Sequence, residues 1–279
     1  MEFRLGLYGA GNLGLSIAAA LHNAGEAFVG VSDTDPLAAR RGADLLRCPV
    51  LPASSLARDA EALLFAVPDD RIASLYEELK DFINPKSLLV HFSGALASDV
   101  FASPLRLSAH PAQTFPYPRL EKDAFKDVYF ALEGPKQAMA FFRPLLERIG
   151  AKTFVISQEE KPLYHAMCVF ASNLIVGLLE YAQDIGLSLG LSEEERRGSI
   201  TRLALETVCN AAESGSLTDA LSGPLLRGDK DTIIKNLNSL EKLPAQKRLY
   251  RLLSRRLLDA ARQRGVPEEK LKEIEGLLL

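Results

Sequence analysis

The sequence predicts an α/β protein in which a doubly wound, mostly parallel sheet is followed by an all-α region. Two observations lead to this prediction. Up to residue 157, short apolar runs alternate with amphipathic segments of helical periodicity, which is typical of βαβ units with helices on both faces of a sheet. Beyond residue 157 the strand-like runs stop and long helical patterns follow.

Seven runs have the apolar composition of buried strands. They are residues 3–8, 27–32, 62–67, 87–92, 105–109, 128–132 and 153–157. The amphipathic segments 71–83 and 136–150 lie between them and predict covering helices. We therefore predict two domains in the 279 residues, a sheet domain over 1–157 and a helical domain over 158–279.

Two signals organise the helical region. Ser192 is followed three residues later by Glu195, which is the spacing of a capping box at a helix start. Residues 222–229, SGPLLRGD, carry the glycine and proline that interrupt helices.

Charge and cysteine content argue against several classes of partner. The 33 basic and 36 acidic residues give a net charge of −3, without a basic block, so we expect no nucleic-acid partner. The three cysteines are isolated, and we expect neither disulfides nor a metal site. The amino terminus lacks the pattern of a secretory signal, and we expect a cytoplasmic protein.

Residues 165–182 form an apolar stretch long enough to raise the question of a membrane span. The stretch contains His165, Asn173 and Glu180 and lacks basic flanks. Polar groups of this kind are costly in lipid, so we predict a buried helix and no membrane partner.

A glycine-rich turn follows the first predicted strand and opens a predicted helix. It consists of Gly9, Ala10, Gly11, Asn12, Leu13 and Gly14. The spacing GxGxxG in this context is the dinucleotide-binding fingerprint, in which backbone N–H groups at the helix start bind a pyrophosphate. The same spacing also occurs in a purely structural turn between a strand and a helix.

Asp33 strengthens the nucleotide interpretation. It closes the second strand at about the 20-residue offset where an acidic side chain accepts a bond from the adenosine ribose. A carboxylate there favours NAD over NADP, whereas Ser32, Arg40 and Arg41 could serve a 2′-phosphate. The sequence therefore predicts NAD or NADP, with a preference for NAD.

Further candidates stand where parallel strands end, at the edge where doubly wound sheets bind ligands. The third strand ends in Ala66, Val67 and Pro68, which we expect along the cofactor crevice unless they are a plain strand terminus. Asp69 and Asp70 follow and could cap the next helix.

Substrate-binding candidates follow the next two strands. Ser93 and Gly94 could hold a substrate carboxylate or carbonyl, and His110 stands before a proline at another strand end. His91 lies within its strand and is expected to be a hydrogen-bonded core residue. On the long helix, a spacing of ~100° per residue puts His165, Ser172 and Asn173 on one side, facing either a cleft or a buried partner.

Taken in order, the motifs resemble those of Rossmann-type oxidoreductases with a helical carboxyl-terminal domain of unassigned function. Distant relatives of that family are pyrroline-5-carboxylate reductase, 3-hydroxyisobutyrate dehydrogenase and ketopantoate reductase. The motifs are GAGNLG, AVPDDRI, HFSGAL, AHPAQTF, YHAMCVFASN and SGPLLRGD. The resemblance implies a Rossmann-type sheet, a helical domain that helps to form a homodimer, and a substrate between the domains.

The sequence departs from the lysine and asparagine pair of the better-known relatives, because Lys161 lies one turn before His165 and Asn173 two turns after it. We hypothesise that His165 donates or accepts the proton, since imidazole titrates near neutral pH, while Asn173 orients the substrate oxygen. His110 is the second candidate and Ser93 completes the catalytic set.

The resulting prediction is an oxidoreductase that transfers a hydride between a nicotinamide cofactor and a small carbonyl, imine or hydroxy acid. Ser172 and Gly94 would help to bind that small-molecule substrate, and Arg227 could bind its carboxylate unless residues 222–229 are only a turn. The alternative is a non-catalytic sensor or scaffold that binds NAD or NADP.

Overall fold

The computed structural model describes residues 4–279, which divide into two compact units. The first ends at Ser172 and the second runs from Asn173 to Leu279. The first unit continues past the predicted boundary at residue 157, because the helix after the last strand packs within it.

The first unit contains a seven-stranded sheet, and each predicted strand is present within the described residues. The strands are β1 (Arg4–Tyr8), β2 (Ala27–Ser32), β3 (Ala62–Phe65), β4 (Leu88–His91), β5 (Arg106–Pro111), β6 (Tyr129–Glu133) and β7 (Lys152–Val155). Phe3, the first residue of the first predicted run, lies outside the described residues. The spatial order is β2-β1-β3-β4-β5-β6-β7, and every neighbouring pair is parallel except β5 with β6. The predicted doubly wound, mostly parallel sheet is confirmed.

Helices of the first unit cover both faces of this sheet. They are α1 (Asn12–Asn23), α2 (Pro36–Leu46), α3 (Ala53–Asp59), α4 (Asp69–Leu79), α5 (Lys136–Arg148) and α6 (Lys161–Ala171). Alternate residues of β1 point to opposite faces, so Leu7 packs in a core with α1 and α5, while Tyr8 packs in a second core with α3 and α4. A short 3₁₀ helix, Ser98–Val100, follows β4.

Strand direction separates two edges of the sheet. The first five strands end at one edge, where the glycine turn follows Tyr8. Because β6 and β7 run the other way, Glu133 and Val155 lie at the opposite edge, near Arg106 at the start of β5. Ligands of parallel sheets bind at the first edge.

The second unit is helical, and no strand is found between residue 156 and Leu279. Its helices are α7 (Asn173–Ser188), α8 (Glu193–Glu213), α9 (Pro224–Arg227), α10 (Lys230–Ser239), α11 (Pro244–Gln263) and α12 (Glu268–Leu278), with a 3₁₀ helix at Leu217–Ala220. Ser192 caps α8 with the predicted capping box to Glu195. An apolar core forms among α9 to α12, around Ile233 and Ile274.

The expectation of one continuous buried helix through residues 165–182 is wrong in two respects. The backbone leaves helical geometry at Ser172, which has φ −133° and ψ −79°, so α6 ends at Ala171 and α7 begins at Asn173. Only Lys161 and Tyr164 of α6 and Gly186 of α7 are buried. By length and composition Lys161–Ser188 could cross a membrane, a criterion that core helices of soluble proteins also meet.

Candidate active site

The three glycines of the turn after β1 have different surroundings. Gly9 has φ +88°, and a Cβ there would lie 2.4 Å from the carbonyl oxygen of Ala66. A Cβ on Gly14 would lie 2.0 Å from the carbonyl oxygen of Gly9, so α1 packs directly against the turn. A Cβ on Gly11, in contrast, would meet nothing within 4 Å. Gly9 and Gly14 thus shape the turn, and Gly11 leaves open space beside the start of α1.

The start of α1 is suited to an anion. Gly11 is its N-cap, no side chain caps the helix, and the first turn contains no acidic residue. The Asn12 side chain is directed elsewhere, since its amide donates to the carbonyl oxygen of Phe115 at 3.0 Å. The N–H groups of the first turn therefore have no side-chain acceptor, which is the arrangement that binds phosphate at helix N-termini.

Asp33 holds the glycine turn against the end of β2. Its Oδ2 accepts the Ala10 N–H at 2.6 Å, and its Oδ1 accepts the Asp35 N–H at 2.8 Å. Each carboxylate oxygen has two lone pairs, so both oxygens can accept a further bond. Asp33 thereby combines a structural role with a position from which a ribose hydroxyl could be bound.

A cavity of about 320 Å³ lies along this edge of the sheet. The predicted cofactor residues that line it are Gly9, Gly11, Asp33, Ala66, Val67 and Pro68. The cavity also includes Arg71 and Leu75 of α4, which the sequence reasoning missed because a helix surface carries no motif. Arg71 is 3.5 Å from Glu78 on the same helix.

A second cavity, of about 330 Å³, lies beside the same turn. Ala10, Gly11 and Asn12 line it together with Arg41 of α2. Arg40 and Arg41 are the two arginines considered for a 2′-phosphate. Arg41 is the one that lines this cavity at the glycine turn.

Two imidazoles converge on Gly94, which follows β4. The Nε2 of His110 and the Nδ1 of His165 each lie 2.9 Å from the point where a Cβ on Gly94 would stand. The Nδ1 of His165 is buried and has no hydrogen-bond partner among the described residues. A buried polar atom without a partner is unusual and indicates a position for a ligand or water. Glycine is required at position 94 because any side chain would collide with both rings.

His110 is held by Tyr164 from α6. The Nδ1 of His110 and the Tyr164 hydroxyl are 2.7 Å apart, and when the hydroxyl donates, the ring carries its proton on Nε2. Burial, with smaller effects from Lys161 and His165, lowers the pKa of His110 to about 4. Burial and a hydrogen bond with Cys168 raise the pKa of Tyr164 above its ordinary value. Both groups are thus neutral at pH 7.

Lys161 is a buried cation at the centre of the cluster, with 1% of its surface exposed. Its Nζ donates to the carbonyl oxygen of Ser93 at 3.1 Å and to the hydroxyl of Ser108 at 2.5 Å. Burial lowers its pKa to about 8, opposed by the carboxylates of Glu133 and Asp69. In the sequence, Lys161 and Asn173 do not have the spacing of the lysine and asparagine pair in the better-known relatives. The motif therefore did not predict a buried lysine at this position.

The hydroxyl of Ser93 is committed within the loop after β4. It donates to Oδ2 of Asp69 at 2.6 Å and accepts the N–H groups of Ala95 and Leu96 at 3.2 and 2.9 Å. Asp69 was expected to cap α4, but Pro68 is the N-cap, and neither Asp69 nor Asp70 makes a side-chain cap bond. Asp69 instead orients Ser93, which positions the loop that carries Gly94.

His91 is a hydrogen-bonded core residue, as expected from its position within the strand. It is fully buried, its Nδ1 accepts the Ser93 N–H at 3.2 Å, and its Nε2 lies 3.2 Å from the carbonyl oxygen of Ala97. Burial lowers its pKa to about 4.

The remaining predicted residues are Ser172, Asn173 and Arg227. Ser172 stands at the break after α6, where its hydroxyl donates to the carbonyl oxygen of Cys168 at 2.7 Å. Asn173 is the first residue of α7 and belongs to the second unit, as does Arg227, which is exposed on α9 and lies 3.8 Å from Asp229. Over residues 4–279, no group of three or more His, Cys, Asp or Glu side chains could hold a metal ion.

Family models match most of the chain in two segments. A Rossmann-like domain matches residues 1–116, and the domain of unknown function DUF2520 matches residues 128–257. The segment that matches DUF2520 includes Lys161 and His165, whereas Gly94 and His110 lie in the segment that matches the Rossmann-like domain.

Solved structures similar to this protein span nearly its whole length. Protein TM1727 from Thermotoga maritima is 27% identical with a TM-score of 0.78, covering 93% of this chain and 98% of that one. A proposed NADP oxidoreductase from Bacteroides fragilis is 24% identical with a TM-score of 0.71, covering 92% and 98%. Pyrroline carboxylate reductase from Plasmodium falciparum, with NADP bound, is 15% identical with a TM-score of 0.58, covering 99% and 98%. No curated protein sequence matches the chain.

Proposed function

We propose that this protein is an oxidoreductase that uses NAD or NADP to reduce or oxidise a small carbonyl, imine or hydroxy acid. The observation that carries the proposal is the open space at Gly11, beside a helix start that no side chain caps. Oxidoreductase activity in the names of two structural neighbours is consistent with it. When bound, the cofactor would supply the hydride.

The residues that would hold the cofactor are those of the glycine turn and the crevice. N–H groups of Asn12 and Leu13 would bind the pyrophosphate, and Asp33 would accept bonds from the adenosine ribose. We favour NAD because the Asp33 carboxylate would repel a 2′-phosphate. Arg41, which lines the neighbouring cavity, is the group that would compensate for that repulsion if the cofactor is NADP.

Proton transfer is proposed for the two imidazoles at Gly94. The unpartnered Nδ1 of His165 would exchange a proton with the reacting oxygen or nitrogen of the substrate, as general acid or base. His110 would act beside it through Nε2, with Tyr164 setting its tautomer. Lys161 and Ser93 would position the loop, and Lys161 adds a positive charge that favours an anionic substrate.

Calorimetric titration with NAD, NADH, NADP and NADPH tests the shared premise. We expect saturable binding of at least one nucleotide. A Gly11→Ala variant should fold normally, because its Cβ meets no protein atom, but should bind that nucleotide at least about tenfold more weakly, because the methyl group occupies the cradle. Absence of binding by all four nucleotides in folded protein would contradict the proposal.

A reductase assay against keto acids and cyclic imines separates catalysis from sensing. With any substrate found, His165→Ala should reduce kcat by about 10²–10⁴-fold, the usual contribution of a positioned acid or base. His110→Ala should shift the pH profile and lower kcat by less. Nucleotide binding without turnover of any compound would favour the non-catalytic sensor, and unchanged kcat in both variants would refute the site assignment.

We also propose that the protein is a homodimer, because α6, α7 and α8 expose large apolar side chains. Phe170 of α6 is 71% exposed, Val176 of α7 60% and Leu203 of α8 70%. Soluble proteins rarely leave so many large apolar side chains uncovered on neighbouring turns. A second copy of this chain would cover them, while Asn173, Ser172 and Arg227 remain our candidates for substrate contacts.

A further inference from the structure

A cavity of about 640 Å³ lies in the first unit, away from the glycine turn. Its wall includes Arg106 at the start of β5, Glu133 at the end of β6 and Val155 at the end of β7. These positions share the edge of the sheet opposite to the one where β1 to β5 end. The cavity is therefore separate from the proposed cofactor crevice, and nothing in the proposed oxidoreductase chemistry uses it.

Cationic side chains outnumber anionic ones in the wall of this cavity. Arg106, Lys136 and Arg143 line it, against the single carboxylate of Glu133. None of the three cations lies within ion-pair distance of a carboxylate in the described part of the chain. Three positive charges thus face a common space without a counter-charge of their own.

Glu133 is already satisfied without those cations. It is buried, its Oε2 accepts the Ser98 N–H at 2.6 Å and its Oε1 accepts the Ser98 hydroxyl at 2.9 Å. Its charge also raises the pKa of Lys161, so a buried cation lies close enough to balance it. Arg106 and Arg143 are therefore available to interact with a group other than Glu133.

Both arginines carry a donor that has no acceptor. The Nε atoms of Arg106 and Arg143 are buried and make no hydrogen bond, although one terminal nitrogen of Arg106 donates to the Ser103 carbonyl oxygen at 2.8 Å. Buried donors are normally satisfied, and the guanidinium group is suited to bidentate recognition of carboxylate or phosphate. Both side chains line the cavity.

Helix α5 adds to the same electrostatic bias. It has 13 residues, begins at Lys136 in the cavity wall, and has no side-chain cap and no acidic residue in its first turn. The partial positive charge of such a helix start favours an anion. The rest of the wall is largely apolar, with Met139, Pro144 and Ile156 among its side chains.

We propose that this cavity binds a small organic anion, a carboxylate or phosphate ester with a short apolar body. Arg106, Arg143 and Lys136 would hold the anionic group, while Met139 and Ile156 would contact the apolar part. A charged molecule without an apolar body would contact only the cationic residues of the wall. An uncharged apolar molecule would contact only the apolar residues.

Titration of the full-length protein with hexanoate, hexyl phosphate, inorganic phosphate and hexanol tests this proposal, by calorimetry and without nicotinamide nucleotide. Hexanoate or hexyl phosphate should bind saturably and more tightly than inorganic phosphate or hexanol. Replacing both arginines, Arg106→Gln with Arg143→Gln, should weaken that binding by about tenfold or more, because two charge-assisted contacts are lost.

Matched variants keep the test independent of folding. Arg248→Gln with Arg255→Gln removes two exposed arginines of α11 and should leave hexanoate binding unchanged. Lys136→Glu reverses an exposed charge at the cavity and should weaken binding even if the double arginine variant fails to fold. Any one of three results would overturn the proposal: equal affinity for hexanol and hexanoate, no binding of either anion, or full binding by Lys136→Glu. This conclusion does not depend on the outcome of the nucleotide titrations.

Discussion

The two units of this protein bury their apolar side chains to very different degrees. In the sheet unit, the strands from β1 to β6 are almost entirely buried between helices, and large side chains such as Phe65 and Phe142 are fully enclosed. In the helical unit, α8 has 21 residues and none of them is buried. A covered core has formed there only among α9 to α12.

The difference lies in how much apolar surface each unit covers within the single chain. A helix gains most of its stability from burying an apolar face, and isolated helices are marginal in water. Leu205 and Val208 on α8 are 58% and 53% exposed, so less than half of each residue is covered within the single chain. The sheet unit buries its large apolar side chains within the single chain, whereas α7 and α8 leave many of theirs exposed. Four predictions test this contrast.

The largest effect is expected within the glycine turn of the sheet unit. In Gly14→Ala the new Cβ would stand 2.0 Å from the Gly9 carbonyl oxygen, a backbone atom that cannot rotate away. We expect a loss of more than about 4 kcal/mol in the free energy of unfolding, measured by urea denaturation. Gly11→Ala is the matched control and should unfold like the wild type. Equal stability of both variants would show that α1 does not pack against the turn as described.

The second prediction concerns the exposed face of the helical unit. Leu205→Glu with Val208→Glu should weaken self-association by at least about 100-fold, because two carboxylates would be buried without partners. Sedimentation equilibrium measures the dissociation constant. Leu37→Glu, at an isolated leucine of α2 that is 74% exposed, should leave it unchanged. A wild-type protein that sediments as a monomer would remove the explanation offered here for α7 and α8.

A third prediction follows from the buried histidines of the sheet unit. The pKa values of His91 and His110 are lowered to about 4, so between pH 6.5 and 4 the unfolded chain binds protons that the folded chain does not. Stability should therefore fall as the pH drops through this window, by about 3 kcal/mol for each histidine. Urea denaturation at several pH values measures the slope.

His91→Asn tests the origin of that slope. It should be less stable at pH 7, because a buried ring is lost, yet it should show a shallower decline toward pH 4. Leu63→Ala, at a buried residue that does not titrate, is the control: it should be less stable at every pH and keep the wild-type slope. A slope that His91→Asn leaves intact would place the responsible groups elsewhere.

The smallest effect is expected at the start of α8. Ser192→Ala removes the hydroxyl that accepts the Glu195 N–H and should cost about 1 kcal/mol. The midpoint of thermal unfolding followed by circular dichroism reports the loss, and Ser199→Ala, on the exposed surface of the same helix, should change it less. Within the single chain α8 has no buried residue. If Ser192→Ala left the unfolding midpoint unchanged, packing against another surface, and not the cap, would hold this helix.

Local patterns were sufficient for most of the fold and for the glycine turn. Strands that are buried on both faces appear as continuous apolar runs, and all seven are present. Gly9 falls where the backbone has a positive φ, Gly14 where the helix contacts the turn, and Gly11 beside open space. The capping box of Ser192 is likewise encoded within four residues.

The amino-acid sequence by itself therefore determined the layered sheet, the helical carboxyl-terminal region and the turn that opens α1, because neighbouring residues encode each of them. Only the tertiary structure decided that His165 and His110 meet at Gly94, that Lys161 is buried between Ser93 and Ser108, and that Asp69 holds Ser93 instead of capping its helix. These contacts join residues that are far apart in the chain, and their partners are chosen by the packing of whole elements, which no local pattern records.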